Sequence, residues 1–207
     1  MHPRAAAFTI RLAIGLYACL VVPRLAMAVP SAQSFVSDNI QAGLVILTDK
    51  RLTGTQRDQQ FHDFLLGITD MNRIARFTLG RYAATANTVQ QESFATAFQN
   101  YAVSVYQSYF TRYSDQKLTV LHTTQRSPSD FIVATAMTSP VSGGDRPPLE
   151  VDFRVRTDGA TPVIVDIGVA GVWLAEAEQA DFVAVLDRNG GDIPALTAHL
   201  NATAAKY

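Results

Sequence analysis

A chain of 207 residues, 48% hydrophobic and 17% charged, can bury the core of one folded domain, and this composition excludes a disordered protein. Its formal charge of −1 offers no basic surplus for a nucleic-acid partner.

The first residues have the layout of a secretory signal. Arg4 and Arg11 accompany an apolar run over residues 12–22, and Ala26-Met27-Ala28 has the small residues of a cleavage site. We expect residues 1–28 to be removed and residues 29–207 to form a single periplasmic domain. An uncleaved anchor is the alternative, but the run is shorter than the roughly 20 residues of a spanning helix, and Pro23 and Arg24 interrupt it.

Cys19 is the single cysteine and lies inside this leader. Cleavage therefore leaves no disulfide and no thiolate metal ligand. Residues 16–19 resemble a lipoprotein processing site faintly, so lipidation of Cys19 is a minor alternative. Removal of the leader takes three of the 17 basic residues and none of the 18 acidic ones, which leaves 14 against 18 and a formal charge of −4.

Apolar residues at helical spacing predict four helices in the first half of the domain. The first covers residues 31–48 and precedes a polar loop over residues 49–55; the others are centred on residues 61–68, 71–79 and 88–113. Asp70 is the predicted N-cap of the third helix, and Gly80 ends it.

After Ser114 the apolar period changes from helical to two, which predicts four strands. Their alternating residues are Leu118, Val120 and His122; Phe131, Val133 and Thr135; Leu149, Val151, Phe153 and Val155; and Val163, Val165, Ile167 and Val169. Turn-forming segments separate them at residues 126–129, 139–148 (with Gly143-Gly144) and 158–159. Connections this short indicate an antiparallel meander.

Helical spacing returns with Leu174, Phe182 and Leu186, and Asn189-Gly190-Gly191 predicts the end of that helix. Asp192 is predicted to cap a last short helix. The element order indicates an α+β fold with helices packed on one face of a four-stranded antiparallel meander sheet.

Aromatic residues are concentrated in the fourth helix. Seven of the chain's 19 aromatic residues fall within 20 positions, on two stripes: Phe94, Phe98, Tyr101 and Tyr109, and Tyr106, Phe110 and Tyr113. Two interpretations remain open from this pattern. Either the stripes fill the core between helices and sheet, or they line an apolar cavity that stays open for acyl chains.

The sequence contains no recognisable catalytic pattern. His62, His122 and His199 lie far apart, and there is no nucleophile elbow or phosphate-binding loop. Asp152 and Asp166 either face each other across strands or are solvent-side charges paired with Arg154 or Arg156. We therefore expect no enzymatic activity, no cofactor and no metal.

Four blocks resemble the MlaC, or toluene-tolerance, family of periplasmic lipid-binding proteins. They are residues 70–82 (DMNRIARFTLGRY), residues 94–118, residues 151–155 (VDFRV) and residues 165–174, and they follow the family's order over nearly all of the mature chain. Two features depart from the family pattern: Ala83 replaces a frequent Trp, and residues 139–148 are rich in Gly and Pro.

The resemblance implies a soluble, monomeric shuttle that carries phospholipid between an outer-membrane lipid-transfer complex and an inner-membrane ABC transporter complex. A branch associated with hopanoid production makes a polycyclic lipid an alternative cargo. Two rivals of other classes are an enzyme in which Asp152 and His122 converge in a pocket, and a partner-binding adaptor with a filled core.

Faces and spacing, read with this resemblance, predict which residues contact lipid. The predicted cavity lining is Phe77, Tyr82, Phe98, Tyr101, Val105, Tyr109, Val133, Val151, Phe153, Val165 and Trp173. Arg76 and Arg81 are predicted to contact the headgroup or a partner.

Overall fold

The structure is a computed structural model that describes residues 31–112, 117–138 and 148–206, without the side chains of residues 107–112. The predicted leader with Cys19 and its cleavage site, Tyr113 and the Gly143-Gly144 turn lie outside the described residues. Among the described residues, no helix combines the length and the apolarity needed to cross a bilayer.

Six α-helices and one short 3-10 helix form the helical part. They are α1 (Ala32–Thr48), α2 (Gly54–Ile68), α3 (Met71–Thr78), the 3-10 helix Gly80–Ala84, α4 (Thr88–Arg112), α5 (Leu174–Arg188) and α6 (Ile193–Ala204). Asp70 and Asp192 cap α3 and α6 as predicted. Helix α2 begins inside the predicted loop, because Thr53 and Gln56 form a reciprocal capping box that starts the helix there.

The sheet has five antiparallel strands in chain order, one more than predicted. They are β1 (Lys117–Ser127), β2 (Asp130–Thr138), β3 (Leu149–Arg156), β4 (Val163–Val169) and β5 (Val172–Trp173). The extra strand has only two residues. It pairs with β4 through a tight turn in which Ala170 and Gly171 both have positive φ, a reversal that period-two counting does not detect.

The sheet has one face against the helices and one face away from them. Val133, Phe153 and Ile167 lie in register across β2, β3 and β4 on the helix side. Ala134 and Asp152 lie in register on the opposite face. The prediction of helices on one face of an antiparallel meander is confirmed.

The interior contains two apolar clusters. One contains residues of every helix from α2 to α6. At its centre the Phe94 ring packs edge-on against Phe182, with centroids 6.1 Å apart. The other joins α1 to the helix-side face of the sheet through Val36, Val133 and Val155. The space between helices and sheet is not filled throughout, and the open part is the candidate site.

Candidate functional site

An apolar cavity of about 500 Å³ lies between α4, α5 and the sheet. Small-molecule sites generally have volumes of roughly 300–1,000 Å³. Helix α4 lines it with Phe98, Tyr101, Ala102, Val105 and Tyr106; the sheet lines it with Leu118, Met137, Leu149, Val151, Phe153, Ile167 and Val169; and α5 lines it with Leu174 and Glu178.

Glu178 is the one charged residue among the described residues of this lining. Its Oε1 accepts a hydrogen bond from the Tyr101 hydroxyl at 2.9 Å. Burial raises the pKa of the Glu178 carboxyl above its ordinary value; the Tyr101 hydrogen bond opposes this increase, and the nearby charge of Asp181 adds to it. The Glu178–Tyr101 pair is therefore a polar corner in an otherwise apolar cavity.

Tyr106 lies beside this corner and faces the sheet. Burial, and then the charges of Glu178 and Asp166, raise the pKa of its phenol, so Tyr106 stays protonated. Asp166 is a buried residue of β4 that lies beside the start of α5, and its Oδ1 accepts hydrogen bonds from the backbone N–H groups of Ile167 at 2.8 Å and Ala175 at 2.9 Å. These bonds fix the end of α5 that carries Leu174 and Glu178 into the cavity.

A second apolar space of about 90 Å³ lies beneath α1 and α2. Leu118, Met137, Phe153 and Ile167 line both spaces and form the wall between them. Met137 belongs to this wall, and an unbranched thioether side chain changes conformation at low cost.

The structure brings together five of the predicted lining residues. Phe98, Tyr101, Val105, Val151 and Phe153 all line the larger cavity. The side chain of Tyr109 lies outside the description. For these six residues, contact with lipid stays a prediction.

Val133, Val165 and Trp173 lie elsewhere in the sheet. Val133 is fully buried in the cluster under α1. Val165 is the extra residue of a β-bulge, since Val155 pairs with Ile164 and Arg154 pairs with Asp166. The bulge shifts the alternation, so Ile164 joins the core cluster under α1 and Ile167 lines the cavity, while Val165 lines no described cavity.

Trp173 packs on the face of the sheet that points away from the helices. A Cβ added to Gly168 would lie 3.3 Å from the Trp173 ring and 3.4 Å from the Cβ of Asp152, so all three share that face. The predicted place of Trp173 in the cavity therefore does not match its position, because the short strand β5 turns its ring outward.

Of the four predicted residues of the α3 region, three are exposed, and Tyr82 is half-buried against the helical core. Phe77 is 42% exposed, and Arg76 is exposed and forms no ion pair within the described part of the chain. Arg81 forms an ion pair with Asp187, and the Tyr82 hydroxyl donates to the same carboxylate at 2.6 Å. This arrangement attaches the 3-10 helix to α5 and does not reach either apolar space.

The residues of the rival catalytic site face away from the cavity. His122 and Asp152 both pair with Ala134, on the outer face of the sheet. Arg154 binds Asp130 through two hydrogen bonds of 3.1 and 2.8 Å, so it does not form the pairing with Asp152 or Asp166 that one of the two alternatives gave. Within the described residues, no group of three or more His, Cys, Asp or Glu side chains is placed to hold a metal ion.

Sequence reasoning missed several lining residues. Leu118, Leu149 and Val169 follow the same period-two pattern as the residues that were chosen, so the pattern contained them. No pattern in the sequence predicted that Glu178 lines the cavity, because a Glu in the segment Ala-Glu-Ala-Glu of an amphipathic helix normally faces solvent.

The family model for the MlaC protein matches residues 37–202. A solved structure with the same fold is a phospholipid-binding protein from Ralstonia solanacearum in complex with a phospholipid. Its TM-score is 0.74 at 21% sequence identity, and the match covers 86% of this chain and 98% of that one. The comparison with curated proteins finds no match.

Proposed function

The chain belongs to the MlaC protein family, and from this premise we propose that it is a non-enzymatic carrier that binds the acyl chains of a lipid in its cavity. The observation that carries the proposal is the 500 Å³ apolar space lined by both the sheet and the helices. The phospholipid complex of the Ralstonia solanacearum protein, which has the same fold, supports it.

Energetics favour a hydrocarbon occupant. Burial of an acyl chain is worth about 0.8 kcal/mol per CH₂, so one long chain provides a large driving force without any catalytic group. An apolar cavity does not hold water well, and an empty one costs stability in proportion to its volume. The lining therefore suits hydrocarbon better than it suits solvent.

The phosphate of a phospholipid is proposed to stay near solvent. Leu149, which is 36% exposed, belongs to the lining and marks an edge of the cavity that solvent reaches. We propose phospholipid as the cargo, and a hopanoid or another polycyclic lipid as the alternative, since an apolar lining accepts either.

The cellular role is proposed from the leader and the family. The exported, monomeric protein would move lipid through the periplasm between an outer-membrane lipid-transfer complex and an inner-membrane ABC transporter complex. Arg76 is the better candidate for contact with a headgroup or a partner, because Asp187 already neutralises Arg81.

Native mass spectrometry of the purified mature protein, followed by extraction of its ligand, tests the binding step. We expect one lipid species, or one class of species, bound per protein molecule. Val151→Asp, which places a charge in the cavity wall, should abolish the bound lipid in a protein that remains folded; Val172→Asp, on an exposed valine of β5, should not. Equal lipid content in both variants would contradict the proposal.

Transfer of a fluorescent phospholipid between donor and acceptor vesicles tests the carrier step. The mature protein should increase the transfer rate in proportion to its concentration, and Val151→Asp should not. Binding without transfer would leave a lipid-binding protein that is not a carrier.

A further inference from the structure

The carboxylate at the polar corner of the cavity has most of its hydrogen-bonding capacity unused by the described residues. Glu178 forms no ion pair within the described part of the chain, and the described residues supply its side chain with the single Tyr101 hydrogen bond. A carboxylate accepts up to about four hydrogen bonds, so most of its capacity is left for another donor.

The position of Glu178 makes a ligand the natural donor. The carboxylate lines the same 500 Å³ space as Phe98, Val151 and Phe153, the residues proposed to hold hydrocarbon. A half-buried carboxylate in apolar surroundings costs free energy unless it is hydrogen-bonded. A bound molecule that reaches this corner with a donor group would remove that cost.

The charges around the corner define the chemistry of the donor. Glu178 and Asp166 both act on Tyr106, and no basic residue belongs to the described lining. A phosphate or a carboxylate would be repelled here. A hydroxyl group or an ammonium group would be attracted, because either donates a hydrogen bond without bringing negative charge.

We propose that Glu178, oriented by Tyr101, is a specificity site that binds an O–H or N–H donor of the cargo lipid inside the cavity. This inference rests on the proposed lipid-binding function. It implies selection by the donor group. A lipid that lacks the donor leaves the half-buried carboxylate with the Tyr101 hydrogen bond alone, and polar groups whose hydrogen-bonding capacity is left unused in a cavity are a source of discrimination.

Competition between matched lipids tests the proposal. Delipidated protein is reloaded from an equimolar mixture, and native mass spectrometry gives the ratio of bound species. One arm uses phosphatidylethanolamine against phosphatidylcholine with the same acyl chains, in which three methyl groups replace the N–H donors of the ammonium. The other arm uses a diacylglycerol against its methyl ether, which differ in one O–H donor.

In at least one arm, the wild-type protein should prefer the donor-bearing lipid by about tenfold, the effect of one charge-assisted hydrogen bond. Glu178→Leu should bring the ratio close to one. Glu178→Gln identifies the donor, since it keeps a carbonyl acceptor without the charge: a preference for a hydroxyl should persist, and a preference for an ammonium should be lost. Glu176→Leu, an exposed neighbour on α5, should keep the wild-type ratio.

The total amount of bound lipid separates this inference from the proposed function. If the wild-type protein binds lipid but shows no preference in either arm, or if Glu178→Leu keeps the preference, the specificity site is wrong and the carrier function stands. If the wild-type protein binds no lipid at all, both fail.

Discussion

The carboxylate of Asp166 in β4 accepts a hydrogen bond at 2.9 Å from the backbone N–H of Ala175, the second residue of α5 and nine positions further along the chain. The residue that precedes α5, Trp173, provides no side-chain cap. A strand residue therefore performs the task of an N-cap, and it positions the helix that carries Glu178.

Replacement of Asp166 by Ala should lower the free energy of unfolding by about 1–2 kcal/mol, because two backbone N–H groups lose a buried acceptor. Urea unfolding measures this change. Asp166→Asn keeps an acceptor oxygen and should restore most of the loss, and Asp181→Ala, exposed on α5, should stay within about 0.5 kcal/mol of the wild type. An equal loss in the Asn and Ala variants would show that the charge, and not the cap, matters.

The Asp130–Arg154 ion pair should make stability depend on acid pH. The hydrogen bonds from Arg154 hold the pKa of Asp130 below its ordinary value of 3.8, although burial opposes the shift. A lowered pKa in the folded state means that the pair stabilises the protein above pH 3.8 and that this contribution disappears as the pH falls through the lowered value.

We therefore expect Asp130→Ala to lose about 2 kcal/mol at pH 7, since it leaves the Arg154 guanidinium without its partner. The difference from the wild type should shrink as the pH falls below about 4. Urea unfolding across this pH range checks both statements. Asp38→Ala, on an exposed position of α1, should match the wild type throughout.

A larger uncharged side chain in the cavity should also displace lipid. Val105 lines the cavity from α4, so Val105→Trp should reduce the amount of extracted lipid severalfold by occupying its space. Val89 lies on the same helix and is 70% exposed, so Val89→Trp makes the same substitution outside the cavity. Equal lipid content in the two variants would place the lipid elsewhere.

Gly191 combines a left-handed backbone with a close aromatic contact. Its φ is +81°, and an added Cβ would lie 2.9 Å from the Tyr82 ring, which its hydroxyl bond to Asp187 holds in place. Gly191→Ala should lower the free energy of unfolding by about 1–2 kcal/mol. Gly67→Ala, in α2 with open space around it, should leave stability unchanged or increase it by up to about 1 kcal/mol, which thermal unfolding of both variants will compare.

The patterns of single elements were reliable where one local rule applied. Asp70 and Asp192 cap their helices because a short acidic side chain reaches the backbone N–H three residues later, which is a local geometry. Val151 and Phe153 share the cavity face because β3 is a regular strand. Val165 was misplaced because one extra residue in β4 shifts the alternation, and no feature of the sequence marks that bulge.

The amino-acid sequence by itself determined the order of the elements, the apolar faces of its helices and strands, and the family to which the chain belongs. These properties follow from periodicity and capping, which act between residues close in the chain. The tertiary structure alone decided that α4, α5 and the sheet leave a cavity between them and that Glu178 lies in its wall. Both depend on how distant elements pack, and that packing is set by the sum of many weak contacts rather than by any local pattern.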